Sequence, residues 1–260
     1  MKLVILAGGY GTRISEETSN KPKPMVNIGG KPILWHIMKY YSKFGIDEFI
    51  ICLGYKGEEI KKYFLNYKSL NSDLNIDLGS QSVNVLTKKS KENWKINLID
   101  TGLNTMTGGR LKFIKKFLKK DEDFYFTYGD GLANVNINKL LNFHKKHKKL
   151  CTVTAIRQPT KYGKLQIQRD LVTSFNEKNR KKIKNESWIN GGFFVVNSKA
   201  INFVKSNKSS WEFDVLSKLV KLKSLKVYRH YGFWQCMDTL KDKLFLEEIW
   251  KKNKAPWKNW

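Results

Sequence analysis

The chain has 260 residues, of which 41% are hydrophobic and 13% aromatic, so it has enough apolar material for a buried core and is not a disordered chain. No apolar run reaches transmembrane length, and the N-terminus lacks the layout of a signal peptide. The 49 lysines and arginines exceed the 23 aspartates and glutamates, which gives a formal net charge of +26 and favours anionic partners.

The excess positive charge is mostly lysine in runs, such as residues 114–120, 144–149 and 179–184. These runs fall on predicted helix faces or loop tips, and aromatic residues do not interleave with them. We therefore expect a solvated basic surface and no nucleic-acid partner, with a basic nucleic-acid-binding protein as the alternative class. In either case the charge would attract nucleotides and sugar phosphates.

Three cysteines, Cys52, Cys151 and Cys236, are far apart and lack the spacing of metal ligands. An odd number of separated cysteines is typical of buried thiols in a reducing compartment. We expect a cytoplasmic protein with no membrane partner.

Short apolar strands alternate with amphipathic helices through the first 156 residues. Strands are predicted over residues 2–6, 49–53, 95–100, 123–128 and 151–156, and helices over 33–45, 58–67, 108–118 and 138–148. In the helix over 108–118, Leu111, Ile114 and Leu118 are expected to face inward. This alternation implies right-handed crossovers and an α/β fold, with a Rossmann-like sheet flanked by helices.

The pattern changes beyond residue 160. Residues 162–178 predict two antiparallel strands around a turn at residues 169–170, a small insertion in the mainly parallel sheet. A buried strand over 189–197 follows, then helices around 200–204 and 213–222. A last helix over 238–253 would begin with Asp238 or Thr239 as its N-cap. The tail, residues 255–260, has two tryptophans that would dock on the parent domain or on another subunit, and we expect a subunit contact.

A glycine-rich loop, LAGGYGTR, occupies residues 6–13 at the end of the first strand. It fails the dinucleotide pattern, which would need a glycine at Ile14, and it fails the P-loop pattern. Backbone without Cβ atoms lets phosphate oxygens approach N–H groups, and Arg13 adds a forked cation suited to phosphate. A plain structural turn is the alternative.

A second motif, KPKPM, follows at residues 21–25. The prolines stiffen the backbone, so we expect Lys23 to project from a rigid loop. Together, G-G-x-G-T-R and K-P-K-P-M resemble the signature of the sugar-nucleotide pyrophosphorylases, which are sugar-1-phosphate nucleotidylyltransferases. The segments TYGDG (127–131), INGGFFV (189–195) and GFWQCMDTLKDK (232–243) extend this resemblance over the whole length.

The resemblance implies a single domain with the nucleotide-diphospho-sugar transferase fold, a mixed, mainly parallel sheet. Residues 1–157 would mainly bind the nucleotide and residues 158–235 the sugar, while residues 236–260 would make oligomer contacts. It also implies homo-oligomers, specifically hexamers.

The resemblance further implies a set of site residues. Nucleotide-binding residues would be Leu6, Ala7, Gly8, Gly9, Gly11, Thr12, Arg13, Lys23, Thr105, Arg110, Gly129 and Asp130. The sugar would contact Glu177, Lys178, Asn190 and Gly191, although Asn179 stands where the family usually has a proline. Asp130 and Asp238 would hold Mg²⁺. Arg13 and Lys23 would be catalytic, Arg13 on the β- and γ-phosphates and Lys23 between the α-phosphate and the sugar phosphate.

Within the family, the segments IDTGLNTMTGGRLK (99–112), GFWQCMDTLKDK and KAPWKNW (254–260) resemble the members that use CTP and α-D-glucose 1-phosphate. These members make CDP-glucose and pyrophosphate, and the resemblance implies a supply of deoxysugars for surface polysaccharide such as the lipopolysaccharide O-antigen. The alternatives are the same transfer from dTTP or UTP, and a non-catalytic regulatory relative.

Overall fold

The computed structural model describes residues 1–88, 92–158, 164–176 and 187–260. Its strands are β1 (Lys2–Leu6), β2 (Asn27–Ile28), β3 (Lys31–Pro32), β4 (Glu48–Leu53), β5 (Ser72–Asp77), β6 (Ser82–Lys88), β7 (Lys95–Asp100), β8 (Asp123–Tyr128), β9 (Gly131–Ala133), β10 (Cys151–Gln158), β11 (Lys164–Gln168), β12 (Leu171–Asn176), β13 (Ser187–Asn197), β14 (Leu225–Arg229) and β15 (Trp234–Cys236). Its α-helices are α1 (Ser15–Thr18), α2 (Ile33–Ser42), α3 (Gly57–Leu65), α4 (Tyr67–Leu70), α5 (Thr107–Ile114), α6 (Ile137–His147), α7 (Ser217–Lys221) and α8 (Leu240–Lys251).

Nine strands form the main sheet in the order β10-β14-β12-β11-β13-β8-β1-β4-β7. The strands β8, β1, β4 and β7 are parallel neighbours, and β10 is parallel to β14. The long strand β13 runs antiparallel to β8 on one side and to β10 on the other. The hairpin β11–β12 is the expected antiparallel insertion. The predicted mixed, mainly parallel α/β sheet is confirmed.

Both faces of the sheet are buried, as the apolar sequence of β1 requires. Leu3 and Ile5 point into one core, which α2, α6 and α8 cover. Val4 and Leu6 point into the other core, which α5 and α7 cover. Burial on both faces leaves the carboxyl edge of the parallel strands as the accessible part of this sheet, where open α/β proteins bind ligands.

The helices predicted over 108–118 and 58–67 are shorter than expected. The helix predicted over 108–118 ends at Ile114 and continues as a 3₁₀ turn, so Leu118 lies outside it in extended backbone, only half buried. The helix predicted over 58–67 is divided at Asn66, whose side-chain amide donates to the carbonyl of Lys62. Asparagine side chains compete with the helix for backbone partners, which accounts for the break.

The hairpin β5–β6 has no counterpart among the sequence predictions. It pairs only with itself within the described residues, and one face carries Leu74, Ile76, Val83 and Val85. Ile76 and Val83 are each 57% exposed. An isolated two-stranded hairpin is marginally stable in water, so this apolar face is suited to contact with another surface.

The C-terminal tail docks on its own chain, the first of the two alternatives that the sequence leaves open. Trp257 is fully buried, and its indole N–H donates to Nδ1 of His36. The other ring nitrogen of His36, Nε2, lies 2.7 Å from the carbonyl oxygen of Ile28 and donates to it. Burial lowers the pKa of His36 to about 4, although the bond to the Ile28 carbonyl opposes the shift. His36 is therefore a neutral structural residue.

No helix in the described ranges is long and apolar enough to cross a bilayer.

Candidate active site

A cavity of about 700 Å³ lies at the carboxyl edge of β1 and β8. The predicted site residues that line it are Leu6, Ala7, Gly8, Gly9, Gly11, Thr12, Arg13, Lys23, Thr105, Arg110, Gly129, Asp130, Asn190, Gly191 and Asp238. Two further predicted sugar-binding residues, Glu177 and Lys178, lie outside the described residues. The structure thus brings together every predicted site residue that it describes, whereas their individual roles stay predictions.

The glycines of the first loop serve different purposes. Gly11 has a φ of +68°, a left-handed conformation that favours glycine, and it begins the short 3₁₀ helix Thr12–Ile14. A Cβ on Gly9 would meet no described atom within 4 Å, so the backbone there is open to the cavity. A Cβ on Gly8 would lie 2.2 Å from Nη1 of Arg110. Gly8 therefore makes room for a side chain of this protein.

Arg110 is 5% exposed and occupies a slot between Gly8 and Gly54. A Cβ on either glycine would collide with its guanidinium group. Its acceptors are the carbonyl oxygens of Gly8, Leu53, Gly102 and Leu103 and the hydroxyl of Thr101. Arg110 thereby joins the glycine-rich loop to the loop that follows β7.

Lys23 is buried, which corrects the expectation that it projects from its loop. The side chain is 9% exposed, and its Nζ lies 2.6 Å from Oδ2 of Asp130 and 2.6 Å from Oδ1 of Asp238. Burial lowers the pKa of Lys23, but the charges of Asp130 and Asp238 outweigh it, so the pKa is raised overall. Pro22 is extended, and the short 3₁₀ helix Lys23–Met25 begins directly after it. This change in the backbone turns the Lys23 side chain inward.

Arg13 completes a cluster with Lys23, Asp130 and Asp238, which we call the charged cluster. Its Nη1 lies 2.6 Å from Oδ2 of Asp238, while 66% of its side chain is exposed toward solvent. Two cations and two carboxylates meet at one wall of the cavity. This is the convergence of loop and distant acids that the sequence predicts.

Two backbone features deliver the carboxylates to the cluster. Gly129 N–H donates to the carbonyl of Leu6, and a Cβ on Gly129 would lie 2.9 Å from that oxygen, so glycine allows the strand end to approach β1. Beyond it, β9 pairs with β15, and the Met237 N–H donates to the carbonyl of Asp130. This pairing holds Asp130 beside Asp238.

Thr239 is the N-cap of α8, so the alternative role of Asp238 as the cap is wrong. The Thr239 hydroxyl accepts from the Asp242 N–H, and the Asp242 carboxylate accepts from the Thr239 N–H, which is a capping box. The Asp238 carboxylate points to Lys23 and Arg13 instead.

The predicted sugar segment forms an irregular, bulged part of β13 beside Tyr128. Asn190 Oδ1 accepts from the Gly192 N–H at 2.8 Å, and Gly192 has a φ of +76°. The Gly191 carbonyl accepts from Nε1 of Trp234 at 2.6 Å. A Cβ on Gly192 would lie 2.8 Å from the Tyr128 ring, so this backbone packs directly against an aromatic wall of the cavity.

Sequence reasoning missed a carboxylate on another wall. Glu212 accepts from the Thr107 hydroxyl at 2.6 Å, from the Ser210 hydroxyl at 2.8 Å and from the Tyr128 hydroxyl. It lies in a π-helical segment, Trp211–Leu216, that carries no recognisable motif. Tyr10 was also missed, although it occupies the variable position of G-G-x-G; its hydroxyl donates to Oδ1 of Asn104 across the cavity.

The chain is similar to known proteins over most of its length. The family model described as nucleotidyl transferase matches residues 2–241, most of the chain. The chain belongs to the nucleotidyl transferase family.

Curated relatives match from end to end. The glucose-1-phosphate cytidylyltransferases of Salmonella typhi and of Salmonella typhimurium strain LT2 are each 51% identical over 260 residues, which is all of this chain and all of each relative. A crystal structure of HddC from Yersinia pseudotuberculosis superposes with a TM-score of 0.74 at 24% identity and covers 96% of this chain and 99% of its own. That likeness concerns the fold alone.

Nucleotidyl transferases generally use a divalent cation, and the charged cluster has suitable ligands. Carboxylate oxygens of Asp130 and Asp238 and Sγ of Cys236 all lie within 4.8 Å of one another. Atoms that share one metal ion, with bonds of about 2.0 to 2.5 Å, are at most about 5 Å apart. Two carboxylates fit a hard cation, provided that the Lys23 ammonium moves from between them. Burial raises the pKa of Cys236, with a contribution from Asp130, so without a metal its thiol is protonated.

Proposed function

We propose that this chain transfers the cytidylyl group of CTP to α-D-glucose 1-phosphate, giving CDP-glucose and pyrophosphate. The observation that carries the proposal is the position of Lys23, held by Asp130 and Asp238 in a cavity that also contains the glycine-rich loop. The full-length relatives named glucose-1-phosphate cytidylyltransferase support the choice of substrates.

The reaction needs alignment and charge neutralisation more than it needs a base. A phosphate oxygen of glucose 1-phosphate attacks the α-phosphorus of CTP, a P–O bond forms, and the bond to the β-phosphate oxygen breaks. The nucleophile is already an anion, so no side chain has to remove a proton and no covalent enzyme intermediate is required. Cations that are fixed before the substrates arrive reduce the repulsion between the two phosphate groups.

We propose that Lys23 and Arg13 supply these cations. We assign Lys23 to the α-phosphate and the sugar phosphate, and Arg13, which is more exposed, to the β- and γ-phosphates that leave. The raised pKa of Lys23 keeps it protonated throughout the neutral range. Its two carboxylate partners hold the ammonium in the cavity until phosphates replace them.

Asp130 and Asp238 would hold Mg²⁺. The ion supplies positive charge to phosphate oxygens when it is bound. In the same event the two carboxylates would exchange the Lys23 ammonium for the metal, which leaves Lys23 available to the substrates. The charged cluster would thus be a resting arrangement of the groups used in the reaction.

The two ends of the cavity would divide recognition of the substrates. Thr105 and Arg110 would lie beside the cytosine base of CTP. Arg110 would act mainly by holding in place the two loops that it joins. Asn190 and Gly191, with Glu177 and Lys178, would contact the sugar. We propose that, within the single domain, residues 1–157 mainly bind the nucleotide and residues 158–235 mainly bind the sugar.

We also propose that the protein is a cytoplasmic homo-oligomer, a hexamer by family resemblance. Two exposed apolar surfaces support the proposed oligomer. One is the apolar face of the hairpin β5–β6, and the other is formed by Leu244 and Phe245 of α8, which are 58% and 42% exposed. Sedimentation velocity of the full chain would give the mass, and a monomer at all concentrations would contradict this part of the proposal.

The test is pyrophosphate release from glucose 1-phosphate with CTP, UTP and dTTP at equal concentration. We expect turnover to be fastest with CTP. Preference for dTTP or UTP would change the base assignment and leave the chemistry unchanged. Absence of turnover with all three, together with tight binding to nucleic acid that falls steeply with salt, would favour the binding-protein alternative.

A further inference from the structure

The thiol of Cys236 lies in the cavity beside both carboxylates of the charged cluster. Cys236 ends β15, where strand alternation turns Trp234 and Cys236 to the cavity and Gln235 away, toward Asp242. The residue is 7% exposed. Its Sγ is within 4.8 Å of a carboxylate oxygen of Asp130 and of Asp238.

The other two cysteines have different surroundings. Cys52 and Cys151 are fully buried in the core on the Val4 face of the sheet, among apolar side chains. Neither lies on the cavity wall. Cys52 and Cys151 therefore fill space in the core, whereas Cys236 presents a sulfur atom to a pair of acids.

Sulfur changes the metal preference of such a site. Mg²⁺ is a hard cation that binds oxygen ligands and does not favour thiolates. Zn²⁺ and the softer Cd²⁺ bind thiolate strongly and accept carboxylate oxygen alongside it. A site with two carboxylates and one thiol can therefore hold Mg²⁺ through oxygen alone and a thiophilic cation through all three groups.

We propose that Asp130, Cys236 and Asp238 form a mixed sulfur and oxygen site for a thiophilic divalent cation such as Zn²⁺ or Cd²⁺. On binding, sulfur forms a bond to the metal, the thiol proton passes to the solvent, and no group is oxidised or reduced. Lys23 leaves the carboxylates, as it does in the proposed reaction. The inference rests on the proposed function in one respect, that the same two carboxylates would hold Mg²⁺, so the two kinds of cation compete.

The test uses Cd²⁺ and the metal-free full chain without nucleotide. Cadmium bound to thiolate absorbs in the ultraviolet by charge transfer from sulfur, so the binding is seen directly. We expect a saturable band for the natural chain and for Cys151→Ser, the matched control, and no band for Cys236→Ser. Asp238→Asn should weaken Cd²⁺ binding at least about tenfold, and excess Mg²⁺ should raise the Cd²⁺ concentration for half-saturation.

The outcomes separate the inference from the function. A natural chain without the band, or a band that survives both Cys236→Ser and Cys236→Ala, overturns the inference. A Cd²⁺ concentration for half-saturation that excess Mg²⁺ leaves unchanged also overturns it, because the sites would not overlap. Turnover of CTP with Mg²⁺ is measured separately: turnover without the cadmium band removes the inference alone, and a Cys236-dependent band without turnover removes the function alone. Circular dichroism checks that each variant is folded.

Discussion

The ammonium of Lys23 lies 2.6 Å from Oδ1 of Asp238, although 215 positions separate the two residues in the chain. The contact joins the short helix Lys23–Met25 to the segment between β15 and α8. Because Asp130, between β8 and β9, binds the same ammonium, one cation links three distant parts of the sequence. Such a contact has consequences for both activity and stability.

Replacing Lys23 by alanine should remove most turnover and also lower stability. The substitution removes the cation that lies between the Asp130 and Asp238 carboxylates, although Arg13 still pairs with Asp238. This should cost about 1 to 3 kcal/mol in the free energy of unfolding. Mg²⁺ should recover part of this loss, because it can replace the missing charge. Thermal unfolding with and without Mg²⁺ measures both effects.

The matched control is Lys21→Ala in the same motif. Lys21 is half buried and its ion pair among the described residues is with Glu17, at 3.7 Å, so its loss should change the melting temperature little. Equal effects of the two substitutions on turnover would contradict the role assigned to Lys23.

Gly8→Ala and Gly9→Ala should differ sharply although the two glycines are adjacent. The new Cβ at position 8 would lie 2.2 Å from the Arg110 guanidinium, which has to shift and lose acceptors. We expect Gly8→Ala to cost about 1 to 3 kcal/mol and to weaken CTP binding. The new Cβ of Gly9→Ala would have no described atom within 4 Å, so the melting temperature of this variant should stay close to that of the natural chain. Similar melting temperatures for both variants would show that the slot is not tight.

Much of this site follows from local sequence. The apolar runs of β1 and β8 predict buried parallel strands. The residues from Leu6 onward and from Gly129 onward, where these strands end, therefore lie at the carboxyl edge of the sheet. The glycine-rich loop and the lysine motif then locate the cavity. Local patterns are sufficient here because strand ends and glycine turns depend on near neighbours.

The remaining features depend on contacts between distant residues. The burial of Lys23 depends on Asp238, and the slot for Arg110 depends on Gly8 and Gly54, so neither is visible in a local pattern. In the hairpin β5–β6, Leu74, Ile76, Val83 and Val85 alternate with polar residues, but Ile76 and Val83 are 57% exposed, so this alternation does not indicate a face of the core. Each of these requires the three-dimensional structure.

Substitutions of the adjacent residues Asp238 and Thr239 should have different effects, the first on metal binding and the second on the capping of α8. Asp238→Asn removes a carboxylate charge from the charged cluster, and we expect the Mg²⁺ concentration for half-maximal turnover to rise at least about tenfold. Thr239→Ala removes the cap of α8 and should cost about 0.5 to 2 kcal/mol in stability, with the Mg²⁺ dependence unchanged. A Mg²⁺ titration and a urea unfolding curve of each variant measure the two effects. An unchanged Mg²⁺ titration of Asp238→Asn would remove this residue from the metal site.

Mild acid should destabilise the fold through His36. The pKa of His36 is about 4 in the folded chain, because burial disfavours its charged form, against about 6.5 when exposed to water. Well above about pH 6.5, His36 is neutral in both the folded and the unfolded chain, so its protonation does not affect the free energy of unfolding. As the pH falls from there toward 4, the unfolded chain takes up a proton that the folded chain refuses, so stability is lost, by about 2 kcal/mol at pH 5.

The geometry explains why the proton is refused. Nε2 of His36 donates to the Ile28 carbonyl, and Nδ1 accepts from the indole N–H of Trp257, so a second ring proton would face another donor. Urea unfolding of the natural chain and of His36→Gln at about pH 7.5 and about pH 5 measures the effect. The variant should be less stable at the higher pH and lose less on acidification. His147, whose pKa is also lowered to about 4 by burial, contributes a similar slope in both proteins and cancels in the comparison. An equal loss of stability in the two proteins would show that His36 is not the group that titrates.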